Sequence, residues 1–180
     1  MTTLHYLAYG SNLHPLRMLE RVSSSRLLAA IPMPGRKLTF HKRSGDGSGK
    51  CNLVELGGTE EAYGALYEFD SGDKAALDDL EGLGKGYDQA QLRFSHSGVA
   101  YQPFVYIASR SHVKPSLVPY DWYKALVIAG ARHLRFPEAY IAELESVASK
   151  PDLDASRRAD REQLLVRIAA FEPIVRFGIP

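Results

Sequence analysis

Leu4-His5-Tyr6-Leu7-Ala8-Tyr9-Gly10-Ser11-Asn12-Leu13 is the stretch on which the reading of this chain turns. Leu4, Tyr6 and Ala8 alternate with His5, Leu7 and Tyr9, which is the period of a strand. That strand runs straight into Gly-Ser-Asn, where the chain must turn sharply. Glycine permits φ > 0 and a close approach of backbone to a ligand. Ser11 and Asn12 bring small donors and acceptors to the same point. Such a turn can present several backbone N–H groups to one anion, as a nest or a helix N-terminus does. It can equally be a structural corner, and these residues alone leave both readings open.

Working outward, the pattern predicts a strand over 4–9 and a short helix over 14–22, with Leu16, Leu19 and Val22 on one face. Residues 27–40 read as extended, broken by Pro32, Pro34 and Gly35, and 44–49 as a flexible glycine loop. Strands are expected over 51–56 and 62–69, separated by a Gly57-Gly58 turn. Ser71 is placed to cap a helix over 73–80 that turns Leu77 and Leu80 inward. Segments 89–94 and 100–108 read as a hairpin across Ser95-His96-Ser97-Gly98. Helices follow over 120–134, over 137–149 with Pro137 near its first position, and over 156–170. Strands first and helices later predict an α+β fold, its sheet a small closed or strongly curved mixed β-barrel flanked by α-helices. The expected organisation is one domain over 1–150 and a C-terminal helical extension over 151–180. The apolar stripe Leu164, Leu165, Ile168 and Phe171 of that extension packs either on the domain or at a homodimer interface.

Composition narrows the function. Twenty-two Lys and Arg against 21 Asp and Glu leave a formal charge of +1, which does not suggest a nucleic-acid partner. The single cysteine, Cys51, excludes an internal disulfide framework and a cysteine zinc cage, and reads as a small buried hydrophobe. The six histidines show no pairing at ligand spacing, so no metal is expected. No Walker motif or dinucleotide glycine fingerprint is present. No apolar run approaches the roughly 20 residues of a membrane span, and the start of the chain lacks a basic n-region. These features predict a soluble cytoplasmic protein with no membrane partner.

A second motif, Leu77-Asp78-Asp79-Leu80-Glu81-Gly82-Leu83-Gly84-Lys85-Gly86-Tyr87, places a carboxylate at a helix end before a glycine-rich exit. Together with Tyr9-Gly10-Ser11-Asn12-Leu13 it resembles the γ-glutamylcyclotransferase family, including its AIG2-like members. The resemblance extends to Tyr63-Gly64-Ala65-Leu66-Tyr67, to Phe104-Val105-Tyr106-Ile107-Ala108, and to Pro115-Ser116 leading into Tyr120-Asp121-Trp122-Tyr123-Lys124. In that order the matches cover about residues 4–148. From about Asp152 onward no family pattern is recognised.

The resemblance implies a cyclotransferase of acyltransferase or lyase type that needs no cofactor. The free α-amine of a small-molecule γ-glutamyl substrate attacks its own γ-carbonyl, giving 5-oxoproline and a free amino acid or amine. Glu81 matches the general acid/base. Tyr6, Leu7, Ala8, Tyr9, Gly10, Ser11, Asn12 and Tyr106 match the substrate-binding part, with Tyr67 and Tyr87 behind them. The position of Glu81 is consistent with that role. A helix C-terminus disfavours negative charge, and Asp78, three residues earlier, is expected to add like-charge repulsion. Two other readings stay open. One is a non-catalytic small-molecule-binding module of the same fold. The other is a serine hydrolase using Ser11, although the G-x-S-x-G elbow is absent.

Overall fold

The computed structural model describes residues 2–171. Its strands are β1 (Thr3–Ala8), β2 (Arg26–Pro34), β3 (Arg36–Arg43), β4 (Gly49–Glu55), β5 (Glu61–Asp70), β6 (Tyr87–Gln91), β7 (Phe94–His96), β8 (Val99–Tyr101) and β9 (Phe104–Ala108). The helices are α1 (Pro15–Arg21), α2 (Lys74–Glu81), α3 (Asp121–His133), α4 (Glu138–Ser146) and α5 (Ala155–Ala169). Five strands form one mixed sheet in the order β2-β5-β1-β9-β6, while β3 pairs with β4 and β7 with β8 in separate ladders.

β1 lies at the centre of the large sheet. It runs antiparallel to β5 from Thr3↔Asp70 to Ala8↔Ala65, and parallel to β9 at Tyr6↔Phe104. Tyr6, Leu7, Ala8 and Tyr9 are all buried. The alternation read in the sequence therefore ends halfway along the strand, as it does where a strand is covered on both faces.

The α+β class stands, but the closed barrel does not. The sheet is open, with β2 and β6 as its two edges. β3 and β4 spend their backbone groups on each other and bring no strand to close it. Pro32 and Pro34 do not break the extended segment. They lie within β2, whose position at a sheet edge tolerates residues that cannot donate.

The predicted 89–108 hairpin is split into two ladders. β6 pairs with β9 from Tyr87↔Ala108 to Gln91↔Phe104, and β7 pairs with β8 beyond Leu92-Arg93 and Gln102-Pro103. Pro103 has no N–H to give, and the link across this gap is Leu92 N–H to the Pro103 carbonyl at 3.1 Å.

α2 also begins differently from the expectation. Ser71–Asp73 forms a 3₁₀ turn, and Asp73, not Ser71, stands at the helix N-cap. Leu77 is fully buried, whereas Leu80 is 53 % exposed. Glu81 lies four residues after Leu77, so the helix turns Glu81, rather than Leu80, onto the face that looks inward.

Pro137 is the N-cap of α4, and that helix stops at Ser146 instead of 149. The Asp154 side chain caps α5 by accepting from the Arg157 amide at 2.9 Å. α5 lies against α3 and α1. Its Leu164 and Ile168 enter the core, and the Phe171 ring packs on His14 and His133. The last part of the expected extension, 172–180, lies outside the described residues. Among the described residues no helix is long and apolar enough to cross a membrane.

Candidate active site

α2 ends in a Schellman arrangement. Gly82 takes φ +74°, its N–H reaches the Asp79 carbonyl at 3.2 Å, and the Leu83 N–H reaches the Asp78 carbonyl at 2.9 Å. Only glycine adopts this left-handed conformation without strain. Glu81, the last residue before the reversal, is thereby held at a fixed place beside the turn that follows β1.

That turn is closed by the Leu13 N–H donating to the Gly10 carbonyl at 3.1 Å. Gly10 is required here for close approach rather than for its backbone angle. Its φ is not positive; a Cβ on it would sit 2.9 Å from Cys51 Cβ and 3.1 Å from Cys51 Sγ on β4. The close approach is to the protein's own strand. The N–H groups of Gly10, Ser11 and Asn12 have no acceptor among the described residues.

The pocket between these elements is lined by Tyr6, Tyr9, Gly10, Ser11, Asn12, Cys51, Glu81, Tyr87, Tyr106 and Tyr123, and encloses about 280 Å³ of space outside protein atoms, its mouth included. The expected residues Tyr6, Tyr9, Gly10, Ser11, Asn12, Tyr106 and Glu81 are thus brought together. Leu7 and Ala8 are not; both are fully buried in the core. Tyr67 lies behind the wall, its hydroxyl donating to the Leu13 carbonyl at 2.8 Å.

Glu81 is anchored through one oxygen. Its Oε1 accepts from Asn12 Nδ2 at 2.8 Å and from the Arg21 guanidinium of α1. Oε2 has no partner among the described residues. Asn12 also reaches the Tyr6 hydroxyl at 3.3 Å, and its own Oδ1 is buried without a partner.

Asp78, expected to repel Glu81, has partners that helical spacing does not disclose: its Oδ1 accepts from the Tyr106 hydroxyl at 2.6 Å and pairs with Lys74.

The tyrosines of the pocket are neutral. Burial pushes the hydroxyls of Tyr6, Tyr9, Tyr87, Tyr106 and Tyr123 well above their ordinary range, with Asp78 adding to the effect at Tyr106. Burial likewise pushes the Cys51 thiol up to about 12. Glu81 is the one carboxyl side chain in this lining. The Tyr9 hydroxyl donates to the Tyr106 carbonyl and the Tyr87 hydroxyl to the Cys51 carbonyl at 2.5 Å, which ties β1, β9, β6 and β4 into one wall.

Ser11 lacks the setting of a nucleophile. Its Oγ is approached by Arg17 Nη2 at 3.4 Å, and a protonated guanidinium is no base. Among the described residues no three His, Cys, Asp or Glu side chains gather as a metal site.

The sequence reading missed Arg21, and it did not place Cys51 or Tyr123 at the pocket. Arg21 lies 60 residues from its partner, and no spacing rule connects them. Cys51 and Tyr123 had a usable signal only in Gly10, since a glycine after a strand implies that something approaches it closely.

The family model of the AIG2-like family matches residues 61–144. Among solved structures, one described as a gamma-glutamyl cyclotransferase superposes with a TM-score of 0.80 at 21% identity, covering 92% of this chain and 99% of its own. An uncharacterized human protein, loc79017, gives 0.79 at 21% identity with the same coverages. YkqA from Bacillus subtilis gives 0.68 at 18% identity, over 83% of this chain and 56% of its own. No protein of curated function matches the sequence significantly.

Proposed function

From a chain whose family resemblance to the γ-glutamylcyclotransferase-like proteins stands, we propose that it is a γ-glutamyl cyclotransferase with Glu81 as general acid/base. The observation that carries this reading is the state of Glu81. One oxygen is fixed by Asn12 and Arg21, the other is unpartnered, and both belong to a pocket formed by the Tyr9–Asn12 turn.

In this reading the γ-glutamyl group enters with its α-ammonium at Glu81 Oε2. The buried, unpartnered Asn12 Oδ1 supplies a further acceptor for that ammonium. Glu81 removes a proton and the freed amine attacks the γ-carbonyl carbon, closing a five-membered ring through a new C–N bond. The tetrahedral oxyanion is stabilised by the uncommitted N–H groups of the turn. Collapse breaks the original amide C–N bond as Glu81 returns its proton to the departing nitrogen; the carboxylate then takes the second proton from the ring nitrogen and passes it to the released amine, which leaves as an ammonium. The products are 5-oxoproline and a free amine or amino acid. Atoms and charges balance within the substrate and one carboxylate, so the step calls for no further reactant. Tethering of the nucleophile leaves orientation as the main task of the site.

The test is release of 5-oxoproline from a panel of γ-glutamyl compounds by the purified chain. Turnover of at least one, lost in Glu81→Gln, supports the reading. Absence of 5-oxoproline across the panel, with binding retained, identifies a non-catalytic binding module instead.

A further inference from the structure

Beside the pocket lies a second, open cavity of about 680 Å³, its mouth included, which shares Ser11, Glu81, Tyr87 and Tyr123 with it. Six cationic side chains line this cavity against two carboxylates, Asp46 and Glu81. Three of the six are already paired: Arg21 with Glu81, Lys50 with Asp46 at 2.8 Å, and Arg157 with Asp152 at 2.6 Å. The other three, Arg17, Lys42 and Arg161, have no carboxylate at ion-pair distance among the described residues.

Arg17 is the informative one. It is 6 % exposed, its Nε has no partner, and its single side-chain hydrogen bond is the long one to Ser11 Oγ. Burial, and then the charge of Arg21, lower its pKa to about 9, so the fold holds this charge at a cost. Arg161 Nε is likewise buried without a partner, and its guanidinium lies over the Trp122 ring at 5.7 Å. A buried guanidinium that lacks an anion is destabilising, and a planar carboxylate is the group its forked donors fit.

We propose that this cavity receives the leaving half of the substrate and selects γ-glutamyl compounds whose departing amine carries a carboxylate, with Arg17 and Arg161 as the anion contacts. The proposal rests on the cyclotransferase reading, because the cavity shares Glu81 with the pocket whereas Tyr6 and Tyr106 line the pocket and not the cavity. It makes γ-glutamyl amino acids substrates and γ-glutamyl alkylamines poor ones.

The experiment measures 5-oxoproline release from γ-glutamyl-alanine, γ-glutamyl-glutamate and γ-glutamyl-ethylamine by wild type, Arg17→Gln and Arg161→Gln. A hydrogen bond to a charged group is worth about 1.5–3 kcal/mol, so each substitution should cost roughly 10- to 150-fold in kcat/KM on the two carboxylate-bearing compounds. On γ-glutamyl-ethylamine the change should stay within about threefold, since that compound has no anion to lose. Arg161, which is partly exposed, can be replaced with little risk to folding and keeps the test open if Arg17→Gln fails to fold. Equal kcat/KM for alanine and ethylamine compounds, or equal losses on all three in both variants, overturns the proposal. Turnover of none of the three counts against the cyclotransferase reading. The cavity is then judged by titration with inorganic sulfate: binding that Arg161→Gln weakens at least about tenfold retains it as an anion site, and binding left unchanged rejects it.

Discussion

Replacing Glu81 by Gln separates chemistry from architecture at this site. Gln keeps the length of the side chain and an oxygen that accepts from Asn12 and Arg21; it loses the ability to carry a proton. Structurally, two charge-assisted hydrogen bonds to Oε1 become neutral ones. Bonds to charged groups contribute about 1.5–3 kcal/mol against about 0.5–1.5 for neutral ones, and the carboxylate is 16 % exposed, so water screens part of the difference. The net cost to stability is about 1–2 kcal/mol, a fall in Tm of roughly 2–8 °C for a chain of this size. Catalytically, a general acid–base group supplies about 10²–10⁴ in rate. Turnover should therefore fall at least about a hundredfold at a temperature where the variant is fully folded, with substrate affinity changed far less. The assay pairs 5-oxoproline release with calorimetric binding of the same γ-glutamyl compound and a thermal melt of each protein. A Glu81→Gln enzyme retaining more than about a tenth of wild-type turnover would show that another group carries the proton, and the mechanism would be wrong.

Three further outcomes follow from packing and titration. Gly10→Ala forces a Cβ to within 2.9 Å of Cys51 Cβ, and overpacking of this kind costs about 1–3 kcal/mol. Cys51→Gly should recover part of that loss in the double variant, and additive losses in a urea-unfolding cycle would refute the contact. The His14 imidazole, lowered to about 4 by burial and then by His133, stays neutral in the fold but is protonated below about 6.5 when unfolded. Stability is therefore complete above about pH 6.5 and declines towards pH 4, by about 3 kcal/mol from this group. His14→Asn, which keeps an acceptor for the Leu16 amide, should flatten that decline in melts from pH 7.5 to 4, and an unchanged slope would refute the assignment. Truncation after Lys150 removes Leu164 and Ile168 from the core, at about 1.5–3 kcal/mol each. It also leaves the Trp122 indole without its Asp152 acceptor. The shortened chain should unfold at markedly lower urea, and one as stable as the parent would show that α5 is dispensable.

What was legible in the sequence was local. The strand over 4–9, the turn after it and the helix ending at Glu81 follow from alternation, glycine placement and helical spacing, all of which act within a few residues. The open sheet was not legible, because whether β3 and β4 join β2 or pair with each other depends on register between distant segments. Leu80 was read as inward because it is apolar. In an eight-residue helix the inward direction is set by a single buried residue, Leu77, and the geometry then gives the next inward place to Glu81. The surroundings of Asp78 were only partly legible for a similar reason: helical spacing brings Asp78 near Glu81 and sets it four residues from Lys74, but β9 adds the Tyr106 hydroxyl. Sequence spacing identified neighbours along the helix and had no access to the partners contributed from β9 and α1.

The same limit explains why Arg21 matters beyond its pairing with Glu81. Glu81 is fixed by three elements that meet only in the folded chain: the glycine-capped end of α2, the Asn12 side chain from the β1 turn, and the guanidinium from α1. Both donors converge on Oε1 and leave Oε2 uncommitted, so the anchoring orients the carboxylate without consuming its capacity to accept a proton. A carboxylate bonded through both oxygens would be equally rigid and chemically idle; one bonded through neither would sample several rotamers. The arrangement also couples the two cavities. α1 supplies Arg21 to the carboxylate and, one helical turn earlier, Arg17 to the neighbouring cavity. On the function proposed above, a displacement of α1 changes the setting of the proton carrier and of the anion contact together, and substitutions that loosen its packing, at Met18 for example, should depress turnover of carboxylate-bearing substrates through both routes at once.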